Sequence, residues 1–217
     1  EIHWRDWSSD VCSSDLYLPT HFECDDEATL GALMTEHPLA HVVHLAAGGA
    51  LDADPVPLLY DRESRMLRGH VARANPLWRV ANGQPVLAIF NGVQAYVSPN
   101  WYPSKATTHK AVPTWNYTVV HAHGTLHARE EADWLREFLP RLTARHEATQ
   151  PRPWSLADAP DDYLQQMMRA IVGIEIPLTR VVGKFKASQN RAASDREGVV
   201  QGLGNHPMAT LVAQPPR

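Results

Sequence analysis

The sequence lacks the short motifs that mark the commonest nucleotide-binding, hydrolase and zinc-protease sites. Its 217 residues contain no GxxxxGK[ST] loop, no GxGxxG, no GxSxG and no HExxH. They also contain no apolar run of the roughly 18 residues that a membrane-spanning helix needs, and no apolar core of a signal peptide. A membrane protein and these familiar enzyme classes are therefore not expected.

An excess of basic charge and a cysteine framework are absent too. Lys and Arg number 20 against 24 Asp and Glu, which gives a net charge of −4. This balance argues against a nucleic-acid binder that works through a globally basic surface. Two cysteines, Cys12 and Cys24, cannot build a disulfide framework and are typical of a reducing cytoplasm. The chain is instead rich in His (12), Trp (7) and Pro (17), which indicates many turns and a site rich in rings.

Residues 1–16 differ from the rest of the chain. They show no helical or strand period, and the stretch WSSDVCSSDL resembles translated sequencing-adapter sequence. We predict that 1–16 is a non-native extension that arose from such adapter sequence. The alternative is that 1–16 is a disordered tail of the native protein. Residues 17–217 then form one domain with helical additions, as their length suggests.

Strand patterns outnumber helix patterns along this domain. Helices are predicted at 25–37 and 130–147, and a long strand at 115–128. Asn91-Gly92 predicts a hairpin turn between two short strands, and the tail after Gly204 is predicted to be loose. The fold class expected is mainly β with flanking helices (α+β), as a small antiparallel barrel with helices packed outside it.

The segment 69–76 (GHVARANP) is the first candidate site. A strand ends in Arg73, and Asn75-Pro76 begins a helix, so free N–H groups and the Arg73 guanidinium could hold an anion such as phosphate. His70 lies three residues before Arg73 and could reach the same ligand. The alternative is a surface arginine and a partly buried histidine on an ordinary hairpin.

An aromatic loop is the second candidate. Residues 96–105 (YVSPNWYPSK) and 112–117 (VPTWNY) supply ring faces together with hydroxyl and amide groups. A planar heterocycle needs apolar walls and a few polar groups at its edge. The alternative is a set of rings that anchors a long loop to the barrel.

Two further strand ends carry charge. His121, His123 and His127 share one strand face, but no carboxylate or cysteine lies near, so an alternating strand face is preferred to a metal site.

Lys184 and Lys186 precede a helix start at Ser188, which indicates either an anion-binding junction or a solvated edge strand.

Taken in order, these motifs resemble the PaiB-type family of FMN-binding negative transcriptional regulators. The carriers are YLPTHF (17–22), GHVARANPLW (69–78), YVSPNWYPSK (96–105), VPTWNYTVVHAHG (112–124), KFKASQNR (184–191) and GVVQGL (198–203). The resemblance implies an FMN-binding antiparallel split β-barrel, related to pyridoxamine-phosphate-oxidase-like flavoproteins. It also implies a homodimer with FMN in the groove between subunits.

The resemblance further implies which residues lie near FMN. By position in the motifs, they are His70, Arg73 and Asn75 at the phosphate and ribityl end; Ser98, Trp101 and Lys105 on the next strand and loop; Thr114, Trp115 and Asn116 at the isoalloxazine; and Lys186 and Gln189 as further candidates.

Three functions remain open at this point. The family resemblance implies a negative transcriptional regulator that acts on DNA directly or through a flavin-linked regulatory partner, although the near-neutral charge and the lack of a clear helix-turn-helix argue against direct binding. The second is an FMN-dependent oxidoreductase of the flavin reductase or oxidase type, with His121 or His123 as proton donor. The third is a barrel that has lost its cofactor and serves as an interaction module.

Overall fold

The computed structural model describes residues 16–216, so the prediction for 1–16 lies almost wholly outside the described residues. The strands are β1 (Glu23–Cys24), β2 (Leu39–Leu45), β3 (Leu51–Pro57), β4 (Leu59–Asp61), β5 (Met66–Ala72), β6 (Pro85–Val97), β7 (Thr114–Thr125), β8 (His127–Arg129) and β9 (Ile171–Lys186). The helices are α1 (Glu27–Glu36), α2 (Leu77–Val80), α3 (Lys105–Thr108), α4 (Ala132–Glu147), α5 (Asp161–Arg169), α6 (Ala193–Leu203) and α7 (Pro207–Ala213). None of these helices is long and apolar enough to cross a membrane.

The strands form one antiparallel sheet in the order β3-β2-β6-β7-β9-β5-β4, and β1 and β8 also pair with β9. The long strand β9 is shared between two half-sheets. Its first part pairs with β5, from Met66↔Pro177 to Ala72↔Ile171, and its second part pairs with β7, from Tyr117↔Lys186 onward. A sheet that curls through one shared strand, with helices outside it, confirms the predicted antiparallel split barrel.

The main core fills the inside of the barrel. It contains the fully buried side chains of Phe90, Leu58, Leu67 and Ile174, which come from β6, the β3–β4 link, β5 and β9. Buried and more exposed residues alternate on β5 and β6, as expected when one face of a sheet is packed and the other is open. Strand β9 differs, because Val172–Ile176 are all buried. The alternation therefore fixes which side chains are left on the outside.

A second, smaller core lies where α6 and α7 pack on the end of β6. It contains Val97, Tyr102, Met208 and Val212. The prediction of a loose tail after Gly204 is therefore wrong, because Met208 and Val212 lie on the buried side of α7 and hold it against the sheet. Packing of an apolar helix face supplies most of the stability of so short a helix.

The predicted hairpin at Asn91-Gly92 is also wrong. Strand β6 runs without a break from Pro85 to Val97 and pairs with β7 on both sides of a register shift between Asn91 and Gln94. Gly92 is needed there because a Cβ atom would collide with the hydroxyl of Thr118. Gly92 thus permits β6 to approach the Thr118 side chain closely within the sheet. Glycine is also common in turns, so the Asn-Gly pair does not by itself indicate which of the two is present.

Candidate functional site

The eleven predicted site residues fall into three groups. The turn group is His70, Arg73 and Asn75, at the β5–α2 junction. The loop group is Ser98, Trp101 and Lys105, between β6 and β7. The lysine group is Thr114, Trp115, Asn116, Lys186 and Gln189, where β7 begins and β9 ends.

The turn group and the lysine group lie at opposite ends of β9. His70 is opposite Gly173 and Tyr117 is opposite Lys186 in the strand registers. At about 3.3 Å per residue, the contour of β9 between those positions is roughly 40 Å. The turn group and the lysine group are therefore far apart along the contour of β9.

Arg73 is held by the protein itself in the turn group. Its Nη1 donates to Glu130 Oε2 at 2.7 Å, and its Nε and Nη2 donate to the carbonyl oxygens of Arg169 and Ile171 at 2.8 and 3.2 Å. The guanidinium charge is thus paired with an exposed carboxylate. A ligand anion at this position must compete with Glu130.

Asn75 is similarly engaged. Its Oδ1 accepts a hydrogen bond at 2.8 Å from the N–H of Leu77, the first residue of α2, although the N-cap residue of that helix is Pro76 rather than Asn75. Its Nδ2 donates to Asp54 Oδ1 at 2.7 Å, and the other oxygen of Asp54 lies 3.0 Å from Nε2 of buried His44. One N–H of the Asn75 amide is left for a ligand.

His70 lies on the face of β5 that also carries Arg68, the side of the sheet covered by α4. Its Nδ1 is buried without a hydrogen-bond partner among the described residues. Burial lowers the pKa of His70 below its ordinary value, so the ring is neutral at physiological pH. A neutral imidazole offers a phosphate one N–H donor and no charge.

The lysine group is built around one short contact. Lys186 Nζ donates to Thr114 Oγ1 at 2.6 Å, which joins the end of β9 to the start of β7. Next to it, Asn116 is fully buried and donates from Nδ2 to Ser188 Oγ at 2.9 Å, while its Oδ1 has no hydrogen-bond partner among the described residues. Ser188 has a φ of 62°, a left-handed conformation that turns the chain away from the sheet.

Gln189 is a structural residue of that turn. Its Oε1 accepts from the N–H of Ala187 at 2.7 Å, and its Nε2 donates to the carbonyl oxygen of Phe185. Both ends of the amide are used, so Gln189 supports the position of Lys186.

Burial and neighbouring cations change the charge state of the lysine group. Burial first, and then the positive charges of Lys184 and Arg191, lower the pKa of Lys186. The sequence analysis placed Lys184 and Lys186 together at a possible anion-binding junction, but only Lys186 was among the residues expected near FMN. Arg191 belonged to the KFKASQNR motif and was not selected as a site residue.

An exposed aromatic pair stands beside this group. Trp115 is 52% exposed and Tyr96 is 48% exposed. They are register partners on β7 and β6 and meet edge-to-face, with ring centroids 6.0 Å apart. The sequence analysis selected Trp115 as a site residue, whereas Tyr96 appeared there only as part of the 96–105 motif.

The loop group is fastened to α6. Trp101 packs its ring on Gly202, where a Cβ atom would collide with the indole. Ser98 Oγ accepts from the N–H of Asn100, and Lys105 Nζ donates to Asn100 Oδ1. Trp101 and Lys105 line an open cleft of about 650 Å³ between this loop and α6.

The larger half-sheet consists of β3, β2, β6, β7 and the second part of β9. Its outer face is uncovered within residues 16–216. It is made of the side chains that alternate with the core residues, namely Leu39, His41, Val43, Leu45, Leu51, Leu87, Ile89, His121, His123 and Val182. Leu39, Leu45 and Leu51 are 56, 60 and 77% exposed. A monomer seldom leaves so many apolar side chains together in water.

His121 and His123 lie on this outer face with ring centroids 6.5 Å apart. Burial, followed by the charges of His123, Arg180 and Lys184, lowers the pKa of His121. His123 and Arg180 contact each other, with Nε2 and Nη2 3.1 Å apart. No group of three or more metal-ligating side chains is found in residues 16–216.

Comparisons with known proteins point in one direction. Residues 16–180 match the model of a family described as "Putative FMN-binding domain". Protease synthase and sporulation protein PAI 2 of Bacillus subtilis is 29% identical over 204 residues, which cover 92% of this chain and 95% of that protein. An uncharacterized protein of Aspergillus fumigatus is 36% identical over 170 residues, or 63% of this chain, which therefore spans 65% of that relative's length.

The solved structures show a similar fold. The FAD and heme binding protein of Mycobacterium smegmatis superposes with a TM-score of 0.56 at 17% identity, covering 83% of this chain and 80% of that one. At this identity the likeness concerns the fold alone.

Proposed function

This chain belongs to the family of FMN-binding domains whose model covers its residues 16–180, and on that premise we propose that it is a flavoprotein that holds FMN between two copies of itself. The observation that carries the proposal is the uncovered outer face, with Leu39, Leu45 and Leu51 more than half exposed. Burial of this face against a second copy removes apolar surface from water.

The residues of the lysine group fit FMN. Lys186 and its neighbours supply positive charge for a phosphate, and the exposed rings of Trp115 and Tyr96 supply apolar faces for a planar heterocycle. Among residues 16–216, the buried Oδ1 of Asn116 has no hydrogen-bond partner, which supports a further polar group or a water molecule at this end. When bound, FMN supplies one- and two-electron redox chemistry.

The split of the predicted residues also supports a homodimer. The turn group and the lysine group lie at opposite ends of β9, and a two-fold axis through the outer face relates each group to its copy in the second subunit. We propose that the turn group of one subunit completes the site that the lysine group of the other subunit begins. His70, Arg73 and Asn75 then contribute to FMN binding without facing Lys186 in the same chain.

The test is the absorbance spectrum and the mass of the purified protein. We expect a yellow dimer with one FMN per chain. The double variant Leu45→Glu/Leu51→Glu should become monomeric and lose at least tenfold in FMN affinity, because it charges the outer face. Tyr163→Glu on α5, which is also an exposed ring, should leave both properties unchanged. A colourless monomer that ignores added FMN would contradict the proposal.

A redox role on a small molecule is supported by His121. This histidine lies on the outer face, and its lowered pKa keeps it neutral at physiological pH, so it can accept and return a proton at a ring nitrogen. We propose that it assists proton transfer beside the flavin. Bleaching of the bound flavin by NADH or NADPH, with a rate that falls about tenfold or more in His121→Gln, would support an oxidoreductase.

We propose that any role as a negative transcriptional regulator is indirect and does not involve DNA binding by this chain. α6 and α7 are joined by a three-residue turn with Gly204, as in a helix-turn-helix. α7 contains no lysine or arginine, and its residues Met208 and Val212 are buried, so it is poorly suited to read a DNA groove. We therefore propose that regulation acts through the flavin state and a partner in the cytoplasm. Tight, sequence-specific gel shifts at physiological salt would contradict it.

A further inference from the structure

Three cationic side chains lie at or just beyond the end of β9. Lys184 and Lys186 lie on the same face of β9 because they are two residues apart. Arg191 follows the turn at Ser188, where its N–H donates to the Ser188 carbonyl oxygen, and its guanidinium stacks on the ring of Tyr102 at 4.7 Å. Burial first, and then the charges of Lys184 and Arg191, lower the pKa of Lys186.

Within residues 16–216, none of these three cations forms an ion pair with a carboxylate. Lys184 is 6% exposed, and its Nζ contacts the carbonyl oxygen of Tyr17 at 2.7 Å and the rings of Tyr17 and Tyr117. Glu23 is the register partner of Lys184 on β1, yet it is exposed and makes no ion pair with it. Buried positive charge without a counter-charge is costly.

The hydrogen bonds at Lys186 leave donors available. Its Nζ has three N–H groups and gives one to Thr114 Oγ1. Because the Thr114 oxygen accepts that bond, its own O–H can donate to a ligand. The Arg191 guanidinium stacks by its face and makes no side-chain hydrogen bond with the described residues, so its N–H edge can donate as well.

We propose that Lys184, Lys186, Arg191 and the Thr114 hydroxyl form a binding site for the phosphate group of a phosphate monoester. Lys186, Thr114 and Arg191 donate to its oxygens, and Lys184 adds charge without direct contact. A tetrahedral dianion satisfies several donors and neutralises the cluster, which a carboxylate with one charge does only in part.

The phosphate has two chemical sources. It belongs either to FMN, an assignment that rests on the proposed function, or to a second phosphorylated molecule that binds beside the flavin. In both cases the anion-binding cluster is the same.

The experiment uses flavin-free full-length protein and inorganic phosphate as the probe. We expect phosphate to raise the melting temperature and to bind in calorimetry. Lys186→Gln and Arg191→Gln should each weaken phosphate binding about tenfold, the loss expected for one charge-assisted hydrogen bond. Lys186→Arg should keep most of it. Arg152→Gln, which removes an exposed arginine from the 151–160 link, is the matched control and should bind as the wild type does.

Equal phosphate binding by the wild type and both Gln variants, or no binding by the wild type, would overturn the proposal. Circular dichroism spectra of the variants establish that each is folded before binding is compared.

Competition then distinguishes the two sources. If phosphate competes with FMN but not with riboflavin, and Lys186→Gln removes the preference for FMN over riboflavin, the site holds the FMN phosphate. If phosphate binds together with FMN, the site serves a second phosphorylated molecule. Phosphate binding by a protein that binds no flavin supports the site and contradicts the proposed function alone.

Discussion

The two ends of β9 carry charged clusters that are built in opposite ways. Near its start, Glu175 is 7% exposed and accepts hydrogen bonds from Arg68, Arg129 and Trp134 at 2.9, 2.7 and 3.2 Å. Near its end, Lys184 and Lys186 have no carboxylate partner among the described residues. The first cluster is complete and joins β5, β8 and α4 to the sheet, whereas the second becomes complete only when an anion is bound.

This difference separates structure from function on one strand. A buried charge whose partners are all present stabilises a particular packing, and removal of one partner is strongly destabilising. A buried charge without partners destabilises the empty protein and is retained where a ligand uses it. Removal of one charge from each cluster should therefore have opposite consequences.

The largest effect is expected for Glu175→Gln. This change leaves Arg129 without a carboxylate and Arg68 with Asp61 alone, in a cluster that is mostly buried. We expect the free energy of unfolding to fall by about 3 kcal/mol, measured by urea denaturation. Asp133→Asn removes an exposed partner of Arg136 and should cost less than about 1 kcal/mol. Similar losses in the two variants would show that the buried Glu175 cluster stabilises the fold no more than an exposed ion pair does.

Acid should weaken the same cluster. Burial alone would raise the pKa of Glu175, but hydrogen bonds from Arg68, Arg129 and Trp134 lower it overall. The backbone N–H of Ser64 and then Arg68 lower the pKa of Asp61 against the effect of burial. Because the pKa values are lower in the folded state, the stabilisation is present above the unfolded-state pKa and is lost as the pH falls through the folded-state pKa.

The check on this acid dependence is a comparison of variants. The difference in unfolding free energy between the wild type and Glu175→Gln should be largest near neutral pH and should shrink as the pH falls through the acidic range. A difference that stays constant with pH would show that the carboxylate charge contributes little.

Lys186→Gln should have a much smaller effect on the flavin-free protein, and of the opposite sign. The variant removes a cation that Lys184 and Arg191 repel, so we expect its stability to be unchanged or raised by up to about 1 kcal/mol. Because the folded-state pKa of Lys186 is lowered, the unfolded chain binds more protons between the two pKa values, and wild-type stability should rise with pH over that alkaline interval. Melting curves should show this rise in the wild type and a flatter profile in the variant.

Much of the fold could be predicted from local patterns. The helices predicted at 25–37 and 130–147 and the long strand predicted at 115–128 correspond to α1, α4 and β7 of the structure. Asn91-Gly92 misled because a glycine serves a turn and a close strand approach equally well, and only the position of Thr118 decides between them. Helix α7 was missed because its few turns are stabilised by packing on β6 rather than by propensity.

The candidate site was less predictable because its charges depend on long-range partners. The sequence indicated that Arg73 and Lys186 are cations at strand ends, and nothing local distinguishes them. Arg73 is paired with Glu130, which is 57 residues away in sequence, whereas the hydroxyl of Thr114, 72 residues away, is the one hydrogen-bond partner of the Lys186 side chain in the described part of the chain. The spacing of a motif does not contain this information, since it arises only when β7, β9 and the residues before α4 are placed in space.

Glu130→Gln is the smallest and most discriminating change. It releases Arg73 from an ion pair whose side chains are 36 and 56% exposed, so the unfolding free energy should change by less than about 1 kcal/mol. If the FMN phosphate is held by the lysine group, the FMN dissociation constant, measured by fluorescence titration, should stay within about twofold of the wild type, because Arg73 keeps its bonds to the carbonyl oxygens of Arg169 and Ile171. A dissociation constant that falls several-fold would instead show that Glu130 competes with the flavin phosphate for Arg73. The turn group would then hold FMN, and the cations at the end of β9 would be left for a second phosphorylated molecule.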